Sequence, residues 1–280
     1  MEACGTAHHW AREIAALGHT VKLMPPAYVK PYVKRGKTDA AKTDAADAEA
    51  ICEAVTRPTM RFVAVKTIDQ QTALMLHKTR DLLVRQRTVL IDALRGHLAE
   101  FGIIAAKGPS GTKAAIEALH EAQDRLPELA RRALHGLVDQ LRLLGEEIDR
   151  LEARIREWHR ASDVSRRLAT IPGIGPITAS AIAAAVPDGT LFRSGRQFAA
   201  WLGLTPKAHS SGGKDRQAGI SKQGDGYIRR LRVVGATAVC GWRAGTTRLA
   251  AGRRSCWSAN PPSSPSSPWP TRPRASPGRC

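Results

Sequence analysis

Apolar positions along the chain change rhythm several times, and each change predicts an element. AHHWAREIAALGH (7–19) has helical spacing through Trp10, Ile14 and Leu17 and stops at Gly18. TVKLM (20–24) and RFVAVKT (61–67) are short strand patterns. Between them lie PPAYVKPYVKRG, a basic connector with three prolines, and KTDAAKTDAADAEAICEAV, an alanine-rich helix. From Ile68 to Phe101 the spacing of Leu76, Leu83, Leu90, Leu94 and Leu98 predicts one long helix. After a KGPSGTK loop, Leu134, Leu137, Leu141, Leu144, Ile148, Leu151, Ile155 and Trp158 follow one another at steps of three and four, with charges between them. This is a coiled-coil seam; its partner is either an antiparallel helix of the same subunit or a second subunit.

The pattern divides the chain into 1–66, alternating α and β; 67–165, helical; 166–250, a basic, mostly helical unit; and 251–280, a Pro/Ser-rich tail without an acidic residue. Met1–Glu2–Ala3 reads as the end of a strand, and two strands alone do not make a stable sheet, so the expectation is that opening strands are missing. The tail is read as out-of-frame translation. Shifting its Pro, Ser and Trp codons by one base gives an Ala/Leu/Lys composition suited to a helix.

Charge narrows the partners. The 280 residues carry 43 Lys+Arg against 25 Asp+Glu, a net +18 with pI near 10.5, which favours a polyanion. No apolar run is long enough to span a membrane, and the N-terminus lacks a secretion-signal pattern. Five scattered cysteines without a C-x-x-C pair argue against a disulfide framework or zinc ribbon and for a reducing cytoplasm. His8, His9, Cys4 and Cys52 have no metal-ligand rhythm.

Four features could carry chemistry. Asp44 and Asp47 share a helix face three residues apart, flanked by alanines and preceded by Lys30, Lys34, Arg35, Lys37 and Lys42. Such a pair can ligate Mg²⁺ beside a phosphate, and is otherwise a solvated face. A tandem KTDAA repeat leaves Asp39 as a competitor. Glu2 ends the first strand, an active-site position in open α/β sheets, or is a surface glutamate. Ile171-Pro172-Gly173-Ile174-Gly175 has the h-P-G-h-G form of a helix-hairpin-helix, in which Gly173 and Gly175 bring amides close to a phosphate; otherwise it is a packing hairpin. In 201–231, Ser210 and Ser211 precede two glycines, ringed by Lys207, Lys214, Arg216, Lys222, Arg229 and Arg230. A serine there could attack a phosphodiester if activated by a base or metal.

M-E-A-C-G (1–5), K-T-D-A-A-D-A (42–48), P-G-I-G-P (172–176) and S-S-G-G…S-K-x-G-D…R-R-L (210–231) occur in that order. The chain resembles insertion-sequence transposases with a DEDD, RuvC-like N-terminal domain and a serine-containing C-terminal transposase domain, the RNA-guided "bridge RNA" recombinases. The resemblance spans about residues 1–250. It implies an RNase-H-like α/β domain, long helices with a coiled coil, and an α-helical transposase domain. Glu2, Asp44 and Asp47 become Mg²⁺ ligands of the DEDD set, and Ser211 the nucleophile joined to DNA, with Ser210 as the fallback. Donor and target DNA, a structured guide RNA and a homo-oligomer held by the coiled coil are the implied partners. The set's first Asp belongs on a strand before Glu2, so a defective copy with little or no recombination is expected. Two other readings remain: a nucleic-acid binder that cuts nothing, and a junction nuclease that uses water.

Overall fold

A computed structural model describes residues 1–33, 44–106, 111–208, 212 and 216–247. The chain is mostly helical. The helices are α1 (Ala7–Ala16), α2 (Pro26–Val29), α3 (Asp44–Val55), α4 (Ile68–Glu100), α5 (Gly111–Glu121), α6 (Glu128–Ala161), α7 (Asp163–Leu168), α8 (Pro176–Ala185), α9 (Gly195–Trp201) and α10 (Gly226–Thr247), with short 3₁₀ turns between some of them. Strands β1 (Pro206–Ala208) and β2 (Gln217–Ile220) pair antiparallel, the one sheet among the described residues. Met1–Ala236 form one compact unit. Thr237–Thr247, the described part of a second unit, are helical.

In the N-terminal segment the expected strands are reduced to single bridges. Glu2 pairs parallel with Met24, and Leu23 pairs antiparallel with Val63. Extended backbone sends successive side chains to opposite sides, and both sides are occupied. Leu23 packs with Ala7 and Ala11 of α1, whereas Met24 packs with Val29 and with Ala50 and Ala54 of α3. The inward face of α1 therefore differs from the one expected from Trp10, Ile14 and Leu17. Trp10 is 51% exposed and Leu17 77% exposed, because the close approach of the 20–24 segment admits only alanines.

The long helix α4 opens with a capping box. Thr67 Oγ1 accepts the Gln70 amide at 3.1 Å, and Gln70 Oε1 accepts the Thr67 amide at 3.0 Å. It runs antiparallel to α6. Trp158 Nε1 near the end of α6 donates to Asp69 at the start of α4, and Arg80 grips Glu152. At the other end Leu94 and Leu98 meet Leu134 and Leu141, with Leu119 of α5 completing the cluster. The 3/4 seam thus has its partner within the chain, with Leu134, Leu141, Ile148, Leu151 and Ile155 buried.

Helix α8 is the centre of the C-terminal part. Its sequence, PITASAIAAA, is almost wholly small or aliphatic, and seven consecutive residues from Thr178 to Ala184 are buried. Small side chains let α4, α6 and α7 approach it together. Ile174, Ile182, Leu202 and Ile228 form the adjoining core.

Candidate nucleic-acid interface

In sequence the Ser-Gly block falls between β1 and β2, which pair antiparallel. Ser210, Ser211, Gly213 and Lys214 lie outside the described residues, as do Lys34, Arg35, Lys37, Asp39 and Lys42. Of the cations expected around the hairpin, Lys207, Arg216 and Lys222 are exposed.

Beneath the hairpin is a tight backbone knot, built by the S-K-x-G-D run. The Ser221 amide donates to Thr205 O at 2.9 Å and the Lys222 amide to Gly203 O at 3.0 Å. Lys222 itself has φ +55°, and Gly224 follows at +82°. A Cβ on Gly224 would collide with the Trp201 carbonyl, so only glycine fits. Asp225 then caps α10, its Oδ1 accepting the Tyr227 amide at 2.8 Å and the Ile228 amide at 3.1 Å.

Arg229 and Arg230 have internal work, which differs from the phosphate contact expected of them. Arg229 Nη1 donates to Leu202 O at 2.8 Å and Gln223 O at 3.0 Å, clamping the two sides of the knot. Arg230 pairs with Asp81 of α4 at 2.5 Å and lies over the Tyr227 ring.

The Pro-Gly turn connects α7 to α8. Gly173 has φ +82°, Ile174 is buried, and Gly175 is the N-cap of α8 with Pro176 in the first turn. The Gly173 carbonyl lies against Gly235 of α10 so closely that a Cβ there would overlap it. That face of the turn is therefore used in packing.

A buried polar chain behind the knot carried no signal in the sequence. His77 of α4 is 1% exposed, with Nδ1 3.1 Å from Tyr227 Oη and Nε2 3.0 Å from Ser180 Oγ. Ser180 donates its proton to a backbone carbonyl, Pro176 O at 2.8 Å, so it accepts from His77 Nε2–H. Nδ1 is then the acceptor for the Tyr227 hydroxyl. Burial, aided by the Arg80 charge, pushes the His77 pKa down to about 4. Burial pushes the Tyr227 phenol up. Both stay neutral near pH 7 and tie α4, α8 and α10 together.

The carboxylates lie on neighbouring segments. The Glu2 segment is bonded to residue 24 through Ala3 N to Met24 O at 2.8 Å, and Met24 packs on α3. Asp44 and Asp47 occupy the first turn of that helix, Asp44 exposed and Asp47 half-buried. Three carboxylates suit a hard divalent ion by donor chemistry. Among the described residues, no group of three or more His, Cys, Asp or Glu is close enough to hold one. Cys4, Cys52 and Cys240 are free thiols. No helix among the described residues is long and apolar enough to cross a membrane.

Comparison with known proteins supplies the family. A DEDD-type transposase family profile matches residues 1–103, and the profile described as "Transposase IS116/IS110/IS902 family" matches residues 165–250. A putative transposase of Sinorhizobium fredii is 52% identical over 241 residues, covering 85% of this chain and 60% of the relative. A "probable family 20 transposase" of Pseudomonas aeruginosa is 50% identical over 241 residues, covering 85% and 70%. The transposase for insertion sequence element IS1328 of Yersinia enterocolitica is 43% identical over 235 residues, covering 83% and 68%. The chain belongs to the IS116/IS110/IS902 family of transposases. It spans 60% to 70% of the length of these three relatives.

Proposed function

We propose that the chain acts in DNA transposition, cutting and rejoining strands at the ends of an insertion element. The observation that carries this reading is the pair of family matches in order, residues 1–103 and then 165–250, on one polypeptide. In this reading residues 1–66 belong to a RuvC-like, RNase-H-like domain. Residues 67–165 are the linker and coiled coil, 166–250 the transposase domain with its helix-hairpin-helix, and 251–280 the tail. Ser211 is the nucleophile, with Ser210 as the fallback. Its Oγ bonds to phosphorus as the bond to the leaving strand oxygen breaks; the hydroxyl proton is given up and the leaving oxygen takes one. One phosphodiester replaces another, so the strand can be rejoined without an external energy source. Glu2, Asp44 and Asp47, which are not gathered into one cluster in this structure, would hold Mg²⁺ once brought together, and the ion would neutralise charge on phosphate oxygens. Lys207, Lys214, Arg216 and Lys222 contact backbone phosphates, and Arg229 and Arg230 join them on leaving their internal partners Leu202, Gln223 and Asp81. Gly173 and Gly175 offer backbone amides to the strand. Donor and target DNA, a structured guide RNA and a second copy of the chain are the proposed partners, with action at the nucleoid.

The test is a denaturing-gel assay for a protein–DNA adduct on element-end DNA with guide RNA and Mg²⁺. An adduct lost in Ser211→Ala and on chelation supports the serine mechanism, whereas DNA binding with no adduct at any Mg²⁺ concentration is the result expected of a defective copy. Cleavage with no adduct, unchanged in Ser211→Ala, supports the water-using nuclease. Binding that survives chelator with neither cleavage nor adduct supports a pure nucleic-acid binder.

A further inference from the structure

The end of the 61–67 segment meets α1 in a cluster of cations. The His8 ring stands over Lys66: its Nδ1 accepts the Lys66 amide at 3.2 Å, and its Nε2 lies 3.1 Å from Lys66 Nζ. Arg12, one turn on, donates Nη1 to Lys66 O at 2.8 Å. Lys78 of α4 is close enough to act electrostatically on both His8 and Lys66. The acidic group acting on Lys66 is Asp225, the cap of α10 beneath the serine hairpin. Arg12, Lys66 and Lys78 join none of the ion pairs among the described residues.

The hydrogen-bond directions restrict the protonation state. Because Nδ1 accepts an amide proton, a neutral His8 carries its proton on Nε2, pointing at Lys66 Nζ. The two make a hydrogen bond only when the amine offers its lone pair. Burial, with Lys78 adding to it, pushes the Lys66 pKa down. Three half-buried basic groups, His8, Arg12 and Lys66, with the exposed Lys78 acting on them and one carboxylate opposing, are a poor arrangement for a bare seam. They are a good one for an anion, which restores the missing charge.

We propose that His8, Lys66 and Lys78, with Arg12 fixing the Lys66 backbone, bind a backbone phosphate of a DNA strand beside the base of the serine hairpin. This rests on the nucleic-acid reading above and extends it to a contact from the N-terminal segment. Bound phosphate favours the Lys66 ammonium, so binding weakens as pH rises through the Lys66 titration. The groups facing this site are His8 and Arg12 of α1, Lys78 of α4, and Asp225.

The test uses the full chain and two probes. The first is duplex DNA of unrelated sequence, titrated at several salt concentrations. Lys66→Gln with Lys78→Gln is expected to lower the log–log salt slope by about 2 × 0.9. Lys78→Gln alone, at an exposed position that folding tolerates, should lower it by about 0.9. The second probe is inorganic pyrophosphate, read on the His8 ring by ¹⁵N-histidine NMR, with His8→Gln identifying the signal. The expected shift disappears in the double variant. Unchanged slopes together with an unmoved His8 signal overturn the proposal, as does a loss of thermal stability in Lys66→Gln with slope and NMR response intact in Lys78→Gln. If the parent chain ignores DNA while pyrophosphate moves His8, the phosphate site stands and the DNA reading falls.

Discussion

At the residue scale, the His77–Tyr227–Ser180 chain makes stability depend on pH. The folded-state pKa of about 4 lies below the 6.5 of an unperturbed histidine, so the unfolded chain binds the proton more tightly. The associated stability is complete above pH 6.5, falls as pH drops towards 4, and amounts to about 3 kcal/mol in all. Urea midpoints at pH 7.5 and pH 5 should therefore differ. His77→Gln should be less stable at pH 7.5 and lose most of that difference. An equal pH response in the variant would assign it to other groups. Gly224 supplies a second residue-level test. Gly224→Ala combines a positive φ with a carbonyl collision, and should cost roughly 2–4 kcal/mol by chemical denaturation. The exposed Gly212, which has open space around its missing Cβ, carries only the strain of its own φ +58° and should cost less.

At the element scale, the helix pair α4–α6 predicts a sharp contrast along one helix. Ile155 is 1% exposed and Leu143 is 54% exposed. Ile155→Ala should cost about 2–5 kcal/mol and Leu143→Ala within about 0.5 kcal/mol, measured as shifts in urea midpoint. Comparable losses would mean that Leu143 is covered by something else. This pair also marks what the sequence could show. The steps of three and four from Leu134 to Trp158 mark α6 and its buried face, because periodicity is a property of one helix. Which element covers that face depends on the whole chain, and periodicity carries none of that information. The first helix shows the converse failure. Trp10 and Leu17 have helical spacing, but the 20–24 segment approaches so closely that Ala7 and Ala11 face it. Hydrophobic size pointed to the wrong face where close approach decided the matter. The 20–24 and 61–67 runs alternate like strands and form only single bridges. His77 was invisible for a different reason: nothing local distinguishes a histidine that will be buried from one on the surface. The R-R-L motif stood out as charge, while its internal bonds to Leu202, Gln223 and Asp81 depend on distant segments.

At the scale of the whole molecule, a net charge of +18 draws in any polyanion, so affinity for DNA by itself says little about where the strand lies. The structure separates the cations into two kinds that a salt titration can tell apart. Lys207, Arg216 and Lys222 are exposed around the hairpin, and a phosphate contact through any of them releases counterions. Each changed to alanine should lower the log–log salt slope by about 0.9 and leave the melting temperature nearly unchanged. Arg229 bridges two carbonyls of the knot, and its loss takes a donor from the part-buried Leu202 carbonyl and from the exposed Gln223 carbonyl. Arg229→Ala should therefore lower the melting temperature, by about 1–3 kcal/mol in stability, before it alters the slope. Arg230 adds a discriminating case, because its partner Asp81 sits on a different helix. Asp81→Asn releases that guanidinium without removing it, and Arg85→Gln beside it controls for the second arginine paired with Asp81. If Arg230 serves only to dock α10 on α4, the variant loses stability and keeps its slope. If the freed arginine reaches a phosphate, the slope rises instead. Falling slopes in Arg229→Ala and Arg230→Ala with stability intact would show that the knot opens when DNA binds, and that its arginines leave their internal partners for the strand.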